Sequence, residues 1–526
     1  MGPEVNIDYI LALENQIKEG VGDVANLKRS RNSLLNISMR VPPEILGHVF
    51  RWTITPGSFC GSRKGSYNFL LVCHHWFEVA SSTPELWTYW GNTLKQWSHR
   101  CQRSGTVPID LVLNAYDPMH GGNDVPFDGP VREALQDRTA HDSIRSVRLQ
   151  GWDTDLLRSV ISSLTLDGED IRYSSIESLT LEYADLDIST FLTRYRFPKL
   201  RDLRLSTGPK VSSWDHLKLQ AASLTTLSLR LTVAPSRPTT PQLLSILAWY
   251  PNLQGLSLHE AMIPHDVGDG STLRVPLRHL KKLSLRGEFC HVFCLLDRLE
   301  CPDALDSVDL EFHECVGEEI PEFLEPYLRD RIRRDDRFQG RLGICASPMP
   351  DSISFGVGTV GEFNVLTMLP ETGHPFLSFT VLFGDTLPQG LEEKLCINLI
   401  TLAPLEHVVY FIGGFSPDAM RDLLVAMPNI EYLNLEGSAV SDTFLHPDPV
   451  SHTKLLPSLR HLCLCRLTLQ NDDDWSPLVA YLTHQTSGGQ VISLRLCGGC
   501  PPLPPEVVRE IEGLVEEFHL GYPSNW

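Results

Sequence analysis

The chain has 526 residues, 42% hydrophobic and 21% charged, and its 65 acidic side chains outnumber its 45 basic ones for a net charge of −20. This much apolar material can build a large core, which excludes a wholly disordered chain. The excess of acid excludes a broadly basic protein of the kind that binds nucleic acid or anionic membranes. Since no run of about 18 consecutive apolar residues occurs, we also predict no membrane-spanning helix.

The N-terminal segment and the cysteines predict an intracellular protein. The first residues include Glu4 and Asp8 and lack the basic region followed by an apolar core that marks a secretory signal. The 13 cysteines are an odd number spread over a long chain, and we expect them to be reduced and mostly buried. The expected location is the cytoplasm, the nucleus or both.

Residues 5–35 have the periodicity of an amphipathic helix and make up most of a predicted N-terminal segment, 1–38. Six apolar residues at spacings of three and four form its stripe: Ile10, Leu13, Ile17, Val21, Val24 and Leu27. Gly20 and Gly22 interrupt this stripe, and each weakens an isolated helix by about 1 kcal/mol. The simpler interpretation is a helix packed on its own protein. A short coiled coil that forms a weak dimer is the alternative.

Residues 39–100 are predicted to form a small all-helical domain. Pro42 and Pro43 are typical of a helix start, and apolar residues share one face of the helix that follows. A glycine- and serine-rich insertion at 55–66 separates this helix from a second apolar segment with helical spacing at 69–80. Residues 83–87 mark a turn and add a further apolar anchor, Leu86-Trp87.

Residues 101–500 are organised by a repeat of the form apolar-x-x-apolar-x-apolar. Its copies begin at Ile144, Ile176, Leu200, Leu224, Leu253, Leu280, Leu305, Phe376, Ile430, Leu459 and Val491, with a poor copy at Leu405. Most intervals fit leucine-rich repeats, which run about 20–29 residues. A unit of one strand and one short helix buries its apolar face only against neighbouring units. We therefore predict an α/β fold, an irregular leucine-rich-repeat solenoid with a curved parallel sheet and outer helices.

Two segments of this array are expected to be irregular. The 71-residue interval from Leu305 to Phe376 leaves segment 311–375 as either two degenerate units or an inserted subdomain. Within it, residues 326–338 alternate arginines with acids and predict a helix with a solvated face. Residues 501–526 are predicted to form a capping helix and a tail.

The remaining motifs do not indicate chemistry. Residues 356–361 read G-x-G-x-x-G but lack the strand–turn–helix frame of a dinucleotide site, so we predict a flexible glycine turn. Cys497-x-x-Cys500 has no visible second pair, and turn or buried cysteines are the expected reading. No Walker A loop, nucleophile elbow, zinc-protease or kinase signature occurs. We predict a protein that is not an enzyme and has no cofactor or metal.

Residues 41–90 resemble the F-box, in particular the F-box-like domains abundant in mushroom-forming fungi. The resemblance lies in Val-Pro-Pro-Glu-Ile-Leu-Gly-His-Val-Phe at 41–50, in Leu-Leu-Val-Cys-His-His-Trp-Phe-Glu-Val-Ala at 70–80 and in Pro-Glu-Leu-Trp at 84–87. The sequence departs from the family at Val41, where leucine or isoleucine is usual, and in the length of the 55–66 insertion. Leucine-rich repeats after the F-box match the layout of such proteins.

The resemblance implies that the domain docks a Skp-type adaptor of a cullin–RING ubiquitin ligase. The residues that it assigns to the docking surface and its core are Pro42, Ile45, Leu46, Val49, Phe50, Leu70, Val72, Cys73 and Trp76. Among these we expect Leu46 and Trp76 to belong to the core.

Substrate recognition would then fall to the concave face of the repeats, because alternate strand positions point away from the core. The candidates are Arg148, Thr180, Arg204, Ser228, Ser284, Asp309, Tyr432, Asn434 and His461. These mostly polar groups suit a protein target of unknown identity, although a solvated strand face explains any single position equally well. The predicted function is a non-catalytic substrate receptor of the ligase. The alternatives are a leucine-rich-repeat scaffold that works without a ligase and an enzyme hidden in segment 311–375.

Overall fold

The protein is represented by a computed structural model, which describes part of the chain. The described residues are 41–53, 70, 72–90, 103–114, 143–150, 171–172, 175–182, 195–206, 214–219, 222–231, 237–261, 273–303, 305–315, 323–349, 352–359, 363–364, 369–370, 377–383, 391–436, 456–465, 475–486, 493–497, 500 and 502–521, with five single positions between 12 and 28. The predicted helix at 5–35, its dimer and the insertion at 55–66 otherwise lie outside them. The chain forms two compact units, Met1–Ser223 and Leu224–Trp526.

The first unit begins with helices and continues with strands. Its helices are α1 (Pro43–Thr53), α2 (His74–Ser81) and two 3₁₀ helices (Pro84–Trp87 and Trp214–Leu219). Its strands are β1 (Tyr89–Trp90), β2 (Ile109–Asn114), β3 (Ile144–Gln150), β4 (Ile171–Arg172), β5 (Ser178–Glu182), β6 (Tyr195–Arg196) and β7 (Asp202–Ser206).

The helical part of this unit, which we call the head, packs around its own apolar core. The buried residues are Leu46, Phe50, Val79, Ala80, Leu86 and Trp87, with Val41, Leu70 and Trp76 packed against them. The Phe50 and Trp76 ring centroids are 5.0 Å apart, and the Trp87 indole donates to the Ala80 carbonyl over 2.8 Å. Helix α2 begins at His74, later than the predicted 69, because Cys73 before it has an extended backbone.

The sheet of the first unit is parallel throughout, in the order β1–β2–β3–β5–β7. Its register aligns Val147 with Leu179 and Leu179 with Leu203, all of them buried. Strand β2 precedes the first predicted repeat, and β1 follows directly after the 3₁₀ helix of the head. The head therefore continues into the repeat array through paired strands.

The second unit alternates strands and helices. Its helices are α3 (Thr240–Leu247), α4 (Phe289–Arg298), α5 (Glu325–Arg334), α6 (Leu391–Ile400), α7 (Pro417–Ala426), α8 (Ser476–Thr486) and α9 (Pro505–Leu514), with 3₁₀ helices at Asp336–Gln339 and Leu405–His407. Its strands are β8 (Thr226–Arg230), β9 (Gly255–His259), β10 (Val275–Pro276), β11 (Lys282–Glu288), β12 (Leu299–Glu300), β13 (Ser307–Cys315), β14 (Leu342–Met349), β15 (Ser352–Thr359), β16 (Phe363–Asn364), β17 (Leu369–Pro370), β18 (Leu377–Phe383), β19 (Val408–Gly413), β20 (Tyr432–Glu436), β21 (His461–Cys465), β22 (Ser493–Leu496) and β23 (Glu517–Leu520).

The main sheet of this unit runs β8–β9–β11–β13–β18–β15–β14–β19–β20–β21–β22–β23. All neighbours are parallel except that β15 is antiparallel to both β14 and β18. Most predicted copies of the repeat contain a strand that begins two residues after the first apolar residue of the copy. The repeat prediction is confirmed, and the fold is α/β with a mostly parallel sheet of the leucine-rich-repeat type.

The long interval in the repeat is explained by an inserted hairpin. Strands β14 and β15 enter the sheet between β18 and β19, after α5 and a 3₁₀ helix. The predicted glycine turn is wrong for Gly356 and Gly358, which lie inside β15. The reason is the period of two: Ile353, Phe355 and Val357 occupy alternate positions and are buried, so the segment is stable as a strand of the sheet.

Two further predictions at the end of the array need correction. The poor copy at Leu405 is a 3₁₀ turn, and its strand begins only at Val408. The predicted capping helix is present as α9, but strand β23 follows it and pairs in parallel with β22. Within the described part of the chain, no helix is long and apolar enough to cross a membrane.

The hairpin region is tied to the preceding repeat by a buried carboxylate. Asp335 is 2% exposed and accepts hydrogen bonds from the backbone and guanidinium of Arg337. The same guanidinium donates to the backbone oxygens of Leu305 and Asp306, just before β13. Burial raises the pKa of Asp335, but the hydrogen bonds and charge of Arg337 outweigh it and lower the pKa below the usual value of 3.8.

Candidate functional site

The head exposes one apolar face of α1. Ile45, Val49 and Trp52, at i, i+4 and i+7, are 53%, 48% and 82% exposed, while Leu46 and Phe50 are buried. Residues at these spacings share a face of a helix. We call Ile45, Val49 and Trp52 the α1 stripe. An exposed row of large apolar side chains on a folded helix is typical of an interaction surface.

The structure sorts the nine predicted docking residues into surface and core. Pro42, Ile45, Val49 and Val72 are exposed. Leu46 and Phe50 are fully buried, and Leu70 and Trp76 pack against them; Cys73 is half-buried. Leu46 lies in the core, as the sequence predicts, but Phe50 is wrong as a surface docking contact because its side of α1 faces the same core. Sequence reasoning missed Trp52, although its helical spacing from Ile45 and Val49 could have revealed it.

In the first unit, the predicted substrate-binding residues take part in polar ladders between neighbouring strands. Arg148 on β3 donates to Glu182 on β5 over 2.8 Å. Arg204 on β7 contacts Asp202 over 3.1 Å, and Asp202 also accepts from Ser178. Thr180 is buried, so it is not the open-face group that alternation predicts. The accessible polar groups at this face are the ladder residues.

In the second unit, a comparable ladder crosses β9, β11, β13 and β18. Ser284 donates to Asp309 over 3.3 Å, Ser378 donates to the same carboxylate over 2.5 Å, and His259 lies 3.3 Å from Ser284. Burial, followed by the charge of Arg286, lowers the pKa of His259. Ser228 on β8 is half-buried. Asp309, which accepts from both serines, is exposed and is the acidic centre of this ladder.

Three further candidates, Tyr432, Asn434 and His461, lie on β20 and β21 in a region buried on both sheet faces. Tyr432 is 2% exposed and its ring stacks on Tyr410 at 4.6 Å, with the His461 ring at 6.1 Å. Desolvation raises the pKa of both tyrosines. The prediction that Tyr432 faces a target is therefore wrong. Asn434 and His461 are half-buried.

Beside these residues the structure collects thiols from two neighbouring repeats. The Cys463 sulfur lies 3.5 Å from that of Cys497 and 3.9 Å from that of Cys465, and the Cys500 thiol lies 3.7 Å from the Leu464 backbone oxygen. Hydrogen bonds with Cys463 and then Cys465 lower the pKa of Cys497, whereas the contacts with Cys465 and Cys497 raise that of Cys463. We call these four residues the thiol cluster.

Cys497-x-x-Cys500 is not the isolated pair that the sequence predicts, because Cys463 lies beside it. Cys463-x-Cys465 lies on β21, and the parallel pairing of β21 with β22 brings it beside Cys497. The signal was present as two cysteine pairs in consecutive copies of the repeat. It was missed because their separation along the chain does not fit the usual ligand spacings.

Comparisons with known proteins do not identify a function for this chain. No protein-family model matches the chain, and no curated protein matches it. Among solved structures, the chain is similar to the crystal structure of a TLR13–ssRNA13 complex, with a TM-score of 0.33 and 14% identity over 73% of this chain and 46% of that one. The chain thus spans less than half the length of that protein. None of these comparisons supports the predicted resemblance of residues 41–90 to the F-box.

Proposed function

We propose that this protein is a substrate receptor of a cullin–RING ubiquitin ligase, located in the cytoplasm or nucleus. Its head docks a Skp-type adaptor, its repeats bind a protein target, and ubiquitin transfer is carried out by the other subunits. The observation that carries the proposal is the exposed α1 stripe on a head that otherwise closes around its own core.

The energetics of the stripe support a docking role. Burying a large apolar side chain that was exposed contributes about 1.5–3 kcal/mol. Ile45, Val49 and Trp52 are all at least 48% exposed, so much of their apolar area can still be buried by a partner. Tryptophan is also among the residues most enriched at the centres of interfaces. Docking here leaves the buried core residues untouched.

The strand ladders support the binding of a protein target. Their arginines and carboxylates hold one another in place, which lowers the entropy lost when a partner binds. Protein–protein interfaces have a polar rim, are enriched in arginine and carry about ten direct hydrogen bonds. In the second unit, the acidic centre at Asp309 favours a target segment with basic or hydroxyl side chains.

The test is binding of the full-length chain to a purified Skp-type adaptor. We expect the double variant Ile45→Asp, Val49→Asp to weaken binding about 100-fold or more, because each change removes buried apolar area and adds a charge. Both positions are exposed in the free protein, so folding should be retained. The control is Val425→Asp, which places one such charge at an exposed apolar position of α7.

Two outcomes would contradict the proposal: no adaptor binding by the wild-type chain, or equal binding by the double variant and the control. Either result would favour the second candidate, a leucine-rich-repeat scaffold that works without a ligase. That candidate is favoured by the polar ladders, which lie on the strands and involve no residue of the head.

A further inference from the structure

We propose that the thiol cluster is a zinc site in which Cys463, Cys465 and Cys497 bind the ion and Cys500 completes its coordination. The site joins two neighbouring repeats of the second unit. It is independent of the proposed ligase function.

The repeat register brings the three central ligands together. Cys463 and Cys465 are two residues apart on β21, so their side chains leave the same face of the sheet. Leu464 pairs with Leu496 on β22, and the backbone amide of Cys497 donates to the Leu464 carbonyl over 2.8 Å. Cys497 therefore follows β22 beside Cys465. All three sulfur atoms lie within 4.8 Å of one another.

The sulfur separations match tetrahedral coordination. At a zinc–sulfur distance of about 2.3 Å, four tetrahedral ligands lie about 3.8 Å apart. The observed separations of 3.5 and 3.9 Å fall on either side of this value. A disulfide instead needs sulfur atoms about 2.05 Å apart. Zinc thus requires only small shifts of the side chains, and its binding releases the thiol protons to solvent without any change of oxidation state.

Cys500 is the natural fourth ligand. Structural zinc sites are closed by four protein ligands, and cysteine pairs separated by two residues are common in them. The Cys500 sulfur lies 3.7 Å from the backbone oxygen of Leu464, the residue between the two cysteines of β21. In the proposed site, the Cys500 side chain turns from this carbonyl toward the other three thiols. The four ligands then follow a C-x-C and C-x-x-C pattern.

The surroundings suit a thiolate site. Cys463 is 3% exposed and belongs to a buried cluster with Tyr410 and Tyr432, which shields the sulfur atoms from water. Zinc bound by four thiolates has a net charge of −2. The positive charge of Arg495, which pairs in register with Cys463, offsets part of it.

The experiment measures zinc in the tag-free, full-length chain, purified under reducing conditions and equilibrated with Zn²⁺. Elemental analysis after removal of free metal should find about one zinc ion per chain. Cys465→Ser and Cys497→Ser should each weaken zinc binding by more than about 100-fold. Losing a partner that only orients a ligand already costs about 10–100-fold, and these variants lose a ligand itself. Both residues are half-buried, whereas Cys463 is buried. These two variants should therefore fold even if a Cys463 variant does not. Circular dichroism checks their folding.

Cys290→Ser is the matched control, because Cys290 lies with Glu288 and His291 in the other group of metal-binding side chains found among the described residues. If Cys290→Ser retains zinc, the result supports the thiol cluster as the site. If Cys290→Ser loses zinc while Cys465→Ser and Cys497→Ser retain it, the proposal is overturned. Cobalt should give the intense thiolate-to-metal charge-transfer absorption in the wild type and lose it in Cys497→Ser. A wild-type chain without zinc, or one with a Cys463–Cys497 disulfide that persists under reducing conditions, would overturn the proposal.

Discussion

At the scale of single residues, burial decides what a side chain does, and Asp335 is the clearest case. Its carboxylate is buried against Arg337, whereas the neighbouring Asp336 is exposed. Asp335→Asn keeps the shape but removes the charge, so we expect it to lower the free energy of unfolding by about 2 kcal/mol at neutral pH. Asp336→Asn should change it by less than about 0.5 kcal/mol. Chemical denaturation of both variants measures the difference.

The pH dependence of this effect has a definite sign. Because the pKa of Asp335 is lower in the folded protein than its usual value of 3.8, the carboxylate stabilises the fold above that pH. The contribution is lost as the pH falls below 3.8 through the folded-state pKa. The gap in stability between the wild type and Asp335→Asn should therefore close in acid. A gap that is constant with pH would contradict the assignment.

At the scale of elements, the helix starts differ in how they are capped. The Thr239 hydroxyl and the Gln242 side chain form a capping box at the start of α3. At the start of α7, Ser416 makes no side-chain cap, and its backbone amide donates to the carboxylate of Glu393. Thr239 therefore caps its helix through its hydroxyl, whereas Ser416 contributes only its backbone amide.

We expect Thr239→Ala to lower the free energy of unfolding of the second unit by about 1 kcal/mol, because it leaves a helix amide without its cap. Ser416→Ala should have a much smaller effect and serves as the control. Thermal and denaturant unfolding measure both changes. Equal losses in the two variants would show that the capping box does not stabilise α3.

At the scale of the whole molecule, the repeats should respond to damage locally. Leu285 on β11 is buried between Leu258 on β9 and Leu310 on β13, its partners in register. We expect Leu285→Ala to cost about 2–5 kcal/mol. Stability in repeat arrays is passed between nearest neighbours, so amide hydrogen exchange should rise in β9, β11 and β13 more than in β21 and β22. A uniform rise over the second unit would contradict this.

The sequence by itself determined the repeat, because a strand that buries one face needs apolar residues at alternate positions, and the Leu-x-Leu copies record that need directly. It also determined the helical head, where spacing placed Ile45 and Val49 on one helix. Only the tertiary structure decided that Phe50, one of the predicted docking residues, belongs to the core. It alone placed the β14–β15 hairpin within the parallel sheet and brought Cys463 beside Cys497. These facts depend on which strands pair. No local pattern marks the neighbours of the hairpin, and the two cysteine pairs meet only because β21 pairs with β22.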